Sequence, residues 1–217
     1  MEHPITVPLF HMPAHVGITL YLIIGLAFLS YWVKKRISIV PNSVQSIIEI
    51  IVEFLDSLIL EAMGTKGKKY FPFVATFGIY ILISNLLGLI PGFIPPTANL
   101  NTTLALALVV FISTHIIGIK EHGISYLKHF VGPIWWMAPL MFPIEIIGHL
   151  SRPVSLSLRL FGNMMGHEII VATLLLLVPF LVPLPFLILG ILVSLLQAFI
   201  FTLLTMMYIG GALEEAH

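Results

Sequence analysis

One arginine stands deep inside a long apolar run of this sequence. Arg159 has leucines on both sides and no acidic residue within eight positions. A guanidinium keeps its charge at any accessible pH, so its burial cannot be relieved by loss of a proton. In a bilayer such a charge costs about 2.5 kcal/mol or more and usually faces a bundle interior or a water-filled cavity. The pattern predicts an ion-path residue whose counter-charge comes from another helix or chain; the alternative is an arginine that snorkels from a helix end.

Polar residues around Arg159 follow helical spacing. Glu168, nine residues further on, is rotated by about 900° and therefore lies on the opposite face, roughly 13 Å along the axis. Glu145 lies about 21 Å in the other direction. Two half-channels would need this arrangement, because a fixed cation between two titratable acids blocks direct proton leakage. The stripe itself contains Glu145, Arg152, Ser155, Arg159, Asn163 and Gly166.

Further polar residues in apolar segments have both a functional and a packing interpretation. Asn85 and Asn163 are each either an interhelical hydrogen bond or a channel-lining group. Gln197, on the last apolar segment, is weak support for a channel when taken alone. His167 is interpreted as an incidental neighbour of Glu168 rather than as the working group.

Other classes of site are not expected. Gly162 and Gly166 form a small-xxx-small pair, which usually indicates close helix packing. None of the nine histidines belongs to an HExxH or comparable pair, so no metal site is predicted. The sequence also lacks Walker A and GxGxxG motifs, and we therefore expect no cofactor and no catalytic residue.

The composition indicates an integral membrane protein. Of 217 residues, 59% are hydrophobic and 9% are charged, whereas soluble domains carry about 25% charged residues. The formal net charge is zero, so nucleic acid is not an expected partner. Cysteine is absent, which excludes disulfides and thiol chemistry. The N-terminal residues lack the basic region of a cleavable signal peptide, and we expect the first apolar segment to be retained.

The apolar segments predict a single all-α membrane domain over residues 1–217. About five transmembrane helices are expected, together with one amphipathic surface helix over 41–62, whose acids recur every three or four residues. Packing of that helix on a soluble partner is the alternative. Trp135 and Trp136 are expected at a membrane interface. The predicted spans are 16–33, 71–90, 102–119, 143–178 and 186–209, the last two forming a long hairpin.

Basic residues predict the orientation. Eight of the ten lysines and arginines follow the first span, precede the second or follow the third. The positive-inside rule then places the N-terminus outside and the C-terminus in the cytoplasm. These eight residues are Lys34, Lys35, Arg36, Lys66, Lys68, Lys69, Lys120 and Lys128.

The segment 143–178 is too long for a perpendicular span. As one helix it would measure roughly 54 Å, against a hydrocarbon core of about 30 Å. The sequence leaves two solutions open, a break at Pro153 or a steep tilt.

Several motifs resemble subunit a of the bacterial F-type ATP synthase. The similarity covers nearly the whole chain and is densest from Pro143 onward. The motifs are SNLLGLIPGF at 84–93, PPTANLNTTLALAL at 95–108, PIEIIGHLSRPVSL at 143–156, SLSLRLFGN at 155–163 and LQAFIFTLLTMMY at 196–208.

This resemblance implies a non-catalytic stator beside a rotating ring of c subunits, whose carboxylates exchange protons with two offset half-channels. Arg159 matches the arginine that separates the half-channels and attracts the c carboxylate. Glu168 matches the outward acid, and Glu145 the acid at the cytoplasmic exit. The polar positions along these paths match Ser155, Asn163, Gln197 and Tyr208.

Further expectations follow from the same resemblance. The partners would be the c-subunit ring, the peripheral-stalk b subunits, the remaining ATP synthase subunits and the lipid bilayer of a bacterial inner membrane. The long hairpin would be tilted. One position departs from the pattern, because some relatives carry a histidine or acid where this chain has Gly190. Water or His167 would then have to partner Glu168.

Two other functions are weighed against this one. A stand-alone secondary transporter predicts inverted repeats and a midplane substrate pocket, and the sequence contains no internal repeat. A structural membrane scaffold predicts that removal of the Arg159 charge is harmless.

Overall fold

The described part of the chain folds into six α-helices, numbered in chain order, and contains no strand. The computed structural model describes residues 14–35, 37–38, 41–90, 93–123, 126, 138–177 and 183–214. The all-α membrane fold predicted from the sequence is therefore confirmed. The helices are α1 Ala14–Lys35, α2 Ser43–Gly67, α3 Phe71–Leu87, α4 Leu100–His122, α5 Ala138–Leu177 and α6 Pro183–Leu213, with short 3-10 turns at Lys68–Tyr70 and Pro96–Ala98.

Five helical segments in the described part of the chain are long and apolar enough to cross a membrane. One of these segments, Ser43–Leu87, combines α2 and α3. Gly64 interrupts it with φ 63° and ψ −165°, a conformation that glycine adopts at little cost. The chain therefore changes direction there. The part of α2 before the kink contains the predicted amphipathic segment, and residues 65–67 follow the kink.

Helix α5 answers the question of length that the sequence left open. It runs for 40 residues, about 60 Å, with Pro143 and Pro153 inside it. The helix continues through Pro153, so the alternative of a break at that residue is wrong. In membrane helices the backbone groups that a proline frees are satisfied locally or by neighbouring helices, so a proline need not end the helix. A helix of this length fits a bilayer only when it tilts or projects beyond it.

Helix α6 is the centre of the bundle and packs against α2, α3, α4 and α5. Lipid tails are as apolar as leucine, so close packing rather than transfer from water must hold these helices together. Small residues make that approach possible: a Cβ added at Gly78 of α3 would lie 2.6 Å from Thr202 Oγ1 of α6. The main core cluster comprises Tyr80, Ile81, Ala107, Val110, Leu156, Leu160, Met164, Ala198 and Phe201.

Charged residues before α3 and in the last turn of α4 meet at one end of the bundle. Lys69 Nζ lies 3.5 Å from Glu121 Oε1, and the Tyr70 hydroxyl lies 3.3 Å from the same carboxylate oxygen. Lys68 Nζ is 3.3 Å from Asp56 Oδ2 of α2. The end of α2, the start of α3 and the end of α4 therefore lie on the same side, as two successive antiparallel crossings require.

Some residues singled out in the sequence fall outside the described part. These are Trp135 and Trp136 of the expected interface belt, and Arg36 and Lys128 of the eight basic residues.

Two adjacent glycines of α6 give a test of the packing. A Cβ at Gly210 would lie 2.7 Å from the Ala62 carbonyl oxygen, whereas a Cβ at Gly211 would meet no atom within 4 Å. We expect Gly210→Ala to destabilise subunit packing by about 1–3 kcal/mol, because a backbone carbonyl cannot move aside cheaply. Thermal dissociation of the detergent-purified complex should show this.

Gly211→Ala is the matched control and should be neutral, or stabilising by up to about 1 kcal/mol, since alanine favours the helix. Equal dissociation temperatures for the two variants would contradict the proposed α2–α6 contact.

Candidate functional site

Arg159 lies on the face of α5 that points away from the core. Leu156 and Leu160, three residues before it and one after it, are buried in the main cluster, while the Arg159 side chain is exposed. Among the described residues, no carboxylate forms an ion pair with it. Arg159 therefore places a permanent positive charge on the outer surface of the described chain. The residue lies within the uninterrupted helix α5.

The neighbours of Arg159 on this face are small or polar. Ser155, one turn before it, is exposed. A Cβ added at Gly162 or Gly166 would meet no atom within 4 Å. The glycine pair therefore makes no close contact with the described residues of the chain, and it leaves open space beside α5.

Asn163 connects this face to α6. Its Nδ2 donates a hydrogen bond of 2.9 Å to Gln197 Oε1, and Gln197 is only 4% exposed. The bond joins two amides that the sequence could not place together. It fixes the amide orientation of both residues one turn from Arg159.

On the C-terminal side of Arg159 along α5, His167 lies directly over Gly190. A side chain at Gly190 would collide with the His167 imidazole, and its Cβ would lie 2.6 Å from Leu89 Cδ2. His167 Nε2 is buried and has no hydrogen-bond partner in the described residues. The next residue, Glu168, is half-buried. The space that a titratable residue at 190 would fill is therefore occupied by the histidine of α5.

Toward the other end of α5, Glu145 lies beside a histidine, His149, that was not among the predicted site residues. His149 Nε2 lies 3.2 Å from Glu145 Oε1, and His149 is 6% exposed. The His115 ring of α4 meets the His149 ring edge to face, with ring centroids 5.4 Å apart. The acid assigned to the cytoplasmic exit is thus one member of a cluster of titratable groups.

A small cavity between α4, α5 and α6 contains the rest of this cluster. Measured for the centre of a water-sized sphere, its volume is about 10 Å³, roughly the space of one water molecule. The Arg152 guanidinium lies over the Tyr208 ring, 5.4 Å from its centroid, in a cation–π contact. Tyr126 packs edge-on against His115, and burial raises the pKa of the Tyr126 phenol while the positive charge of Arg152 lowers it. The polar lining residues are Thr114, His115, His149, Arg152 and Tyr208.

Asn85 has a structural partner. It is 1% exposed, and Thr97 Oγ1 donates a hydrogen bond of 2.8 Å to its Oδ1. This bond joins α3 to the 3-10 turn before α4, which favours the packing interpretation. No group of three or more metal-ligating side chains occurs among the described residues.

His115, His149 and Tyr126 belong to this site but were not predicted from the sequence. His149 follows Glu145 by four residues, so helical spacing alone would have placed the two side chains together. His115 lies inside an apolar span, which is itself a signal for a polar role. The contact between the two rings depends on how α4 and α5 pack.

Comparison with known proteins decides the family. The family model of the ATP synthase A chain matches residues 15–210. This chain belongs to that family. The resemblance inferred from the motifs is confirmed, and as a family member the chain is a multi-pass membrane subunit of an ATP synthase.

Relatives of the family match almost end to end. Subunit a of the ATP synthase from Geobacter sulfurreducens is 57% identical over 202 residues, covering 93% of this chain and 88% of the relative. Subunit a from Trichlorobacter lovleyi is 58% identical over 196 residues, covering 90% and 85%. The ATP synthase subunit a 1 of Syntrophotalea carbinolica is 57% identical over 203 residues, covering 94% and 86%.

The contact between His167 and Gly190 predicts a paired effect. We expect Gly190→His to impair assembly or proton pumping at least several-fold, because two imidazoles cannot share the site without strain. The double variant Gly190→His, His167→Gly should recover much of the activity, since it moves the ring from α5 to α6. ATP-driven acidification of inverted vesicles measures both.

His167→Gly alone is the control for loss of the ring. Full activity of Gly190→His with His167 in place would show that the two positions are not in contact.

Proposed function

We propose that this chain is the proton-channel stator of a rotary F-type ATP synthase and provides two offset half-channels separated by Arg159. The observation that carries the proposal is the exposed guanidinium on a continuous membrane-length helix, with no carboxylate of the described chain to neutralise it. Exposure of that charge to lipid would be costly. A carboxylate on a neighbouring subunit relieves the cost and provides a transient partner.

The mechanism follows from the charges. A c-subunit carboxylate that loses its proton beside this chain is attracted to Arg159 and is held in its deprotonated state there. The fixed positive charge also repels a proton, so protons cannot pass directly between the two sides. Glu168 serves the outward half-channel and Glu145 the cytoplasmic one, about 13 Å and 21 Å along α5 from the arginine. A proton therefore crosses only when the ring carries it around.

The ring of c subunits is the proposed partner for the Arg159 face. Ser155 is exposed on it, and the two glycines leave open space beside α5 where a second helix can approach closely. Asn163 and Gln197 hold the helix pair together just behind this face. Neither residue needs to bind a proton for that role, although both can hydrogen-bond water in the path.

The remaining assignments follow the family and the basic residues. We place the N-terminus outside and the C-terminus in the cytoplasm of a bacterial inner membrane. The end of the bundle where Lys68, Lys69 and Glu121 meet is then cytoplasmic. Peripheral-stalk b subunits are the proposed stator partners. Ion translocation is the role of this chain, and catalysis belongs to the rest of the complex.

Removal of the Arg159 charge tests this proposal. We expect Arg159→Ala to abolish ATP-driven acidification of inverted vesicles while increasing passive proton leak, because nothing then separates the half-channels. Arg159→Lys should also fail, since a lysine can lose its proton when desolvated.

Leu158→Ala is a matched control, because Leu158 is the adjacent exposed residue of α5. It should assemble and pump normally. Undiminished pumping by an assembled Arg159→Ala complex would reduce Arg159 to a packing residue and remove the basis of the channel assignment.

Neutralisation of Glu168 tests the outward half-channel. We expect Glu168→Gln to slow proton flux by about tenfold or more without preventing assembly, because the amide keeps the shape of the side chain but cannot exchange a proton. ATP-driven acidification and the subunit content of the purified complex measure the two effects. Normal flux would mean that water alone serves the outward path.

A further inference from the structure

Helices α4 and α5 bring two histidines, an acid and an arginine together at the end of α5 that carries Glu145. His149 faces Glu145 on its own helix and His115 across the helix interface. The charged or titratable groups that act electrostatically on His149 are Arg152, Glu145 and His115. The Glu145 carboxylate and the Arg152 guanidinium therefore place opposite charges near this ring.

The hydrogen bond of His115 identifies its exchangeable nitrogen. His115 Nδ1 lies 2.8 Å from the Phe111 carbonyl oxygen. A carbonyl oxygen can only accept, so Nδ1 carries the hydrogen and donates it. Nε2 is then the nitrogen that binds or releases a further proton.

The cavity lies beside both histidine rings and has room for about one water molecule. Its lining includes both histidines, Arg152 and Tyr208, together with the buried residues Pro153 and Leu156 of α5. The polar side chains of this lining are suitable hydrogen-bond partners for such a water. Arg152 is held over the Tyr208 ring, which keeps its charge at the side of the cavity.

We propose that His149, assisted by His115, is the proton relay of the cytoplasmic half-channel, between water in the cavity of α4, α5 and α6 and the carboxylate of Glu145. This inference rests on the proposed function and adds a residue to it. Imidazole is suited to the task because it titrates closest to neutral pH among the side chains. Glu145 then exchanges protons with the cytoplasm instead of receiving them directly from the c subunit.

The step conserves protons and electrons. In the direction of release, the c-subunit carboxyl gives up a proton, and water in the cavity carries it to the Nδ1 of His149. The imidazolium then gives its Nε2 proton to the Glu145 carboxylate, which releases it to bulk water. One proton enters the ring and one leaves, and no electron moves. The starting tautomer returns by ring rotation or by proton exchange with water. In the opposite direction, the same steps run in reverse and deliver a proton to the c-subunit carboxylate.

The first test separates proton relay from packing. Glutamine at position 149 can still donate to Glu145 and fills a similar volume, but it cannot bind a proton. We expect His149→Gln to assemble and to lower ATP-driven acidification by about tenfold. His122→Gln, at the end of α4 and outside the cavity lining, is the control and should pump normally.

The second test is chemical rescue. His149→Ala leaves space for one imidazole, so added imidazole should restore ATP hydrolysis by the intact complex in vesicles treated with an uncoupler, where no gradient builds up. Pyrazole, a ring of the same size that binds no proton near neutral pH, should not restore it. A purely structural histidine would be rescued by both rings or by neither.

Outcomes are read against Arg159→Ala in the same preparation. Loss of pumping in Arg159→Ala with wild-type pumping in His149→Gln overturns the relay alone and leaves the channel in place. Pumping by Arg159→Ala overturns the proposed function itself. Where His149→Gln fails to assemble, His115→Gln decides by the same assay, and normal pumping by that variant refutes the two-ring relay.

Discussion

A guanidinium that cannot lose its proton, carried outward by a helix that crosses the membrane, is the constraint on which this fold depends. The charge is costly in lipid, and no carboxylate in the described part of the chain pairs with it. The rest of α5 is consistent with the proposed partner carboxylate. Leu156 and Leu160 anchor the opposite face in the core, so Arg159 is held at a fixed orientation. Gly162 and Gly166 leave open space beside it, where the proposed partner can approach.

The hydrophobic effect alone does not hold Arg159 in this orientation, and helix packing must do so. Apolar side chains gain little by leaving lipid for a protein interior, so the bundle relies on close contact and a few polar bonds. Helix α6 provides both: Gly78 and Gly210 permit close approach of other helices to it, and Gln197 binds Asn163 one turn from Arg159. If this interface were looser, Arg159 could move relative to the proposed c-subunit carboxylate. Its attraction for that carboxylate and its blocking of direct proton passage would then both weaken.

The sequence predicted the helices well because membrane crossing imposes long apolar runs, and it marked Arg159 because a lone charge there is so unfavourable. It could not decide whether Pro153 breaks α5, since that depends on how neighbouring groups satisfy the backbone. Nor could it bring His115 to His149 or His167 to Gly190, because these contacts join different helices. Gly190 stands where some relatives carry a histidine or an acid, and in this structure the His167 imidazole occupies that space.

The two sides of Arg159 along α5 carry the same pair of residue types, an acid and a histidine. On each side an acid stands close to a histidine on the same helix, Glu168 next to His167 and Glu145 one turn from His149. In the proposed mechanism, the fixed cation between them prevents a direct path, so each side exchanges protons with its own aqueous phase and with the same c-subunit carboxylate. Side chains that titrate near neutral pH can release and rebind protons without a large free-energy barrier in either direction. The surroundings of the two histidines differ, since His167 is packed against a glycine while His149 borders a small cavity. The two proposed half-channels therefore differ in the surroundings of their histidines rather than in the residue type of their acids.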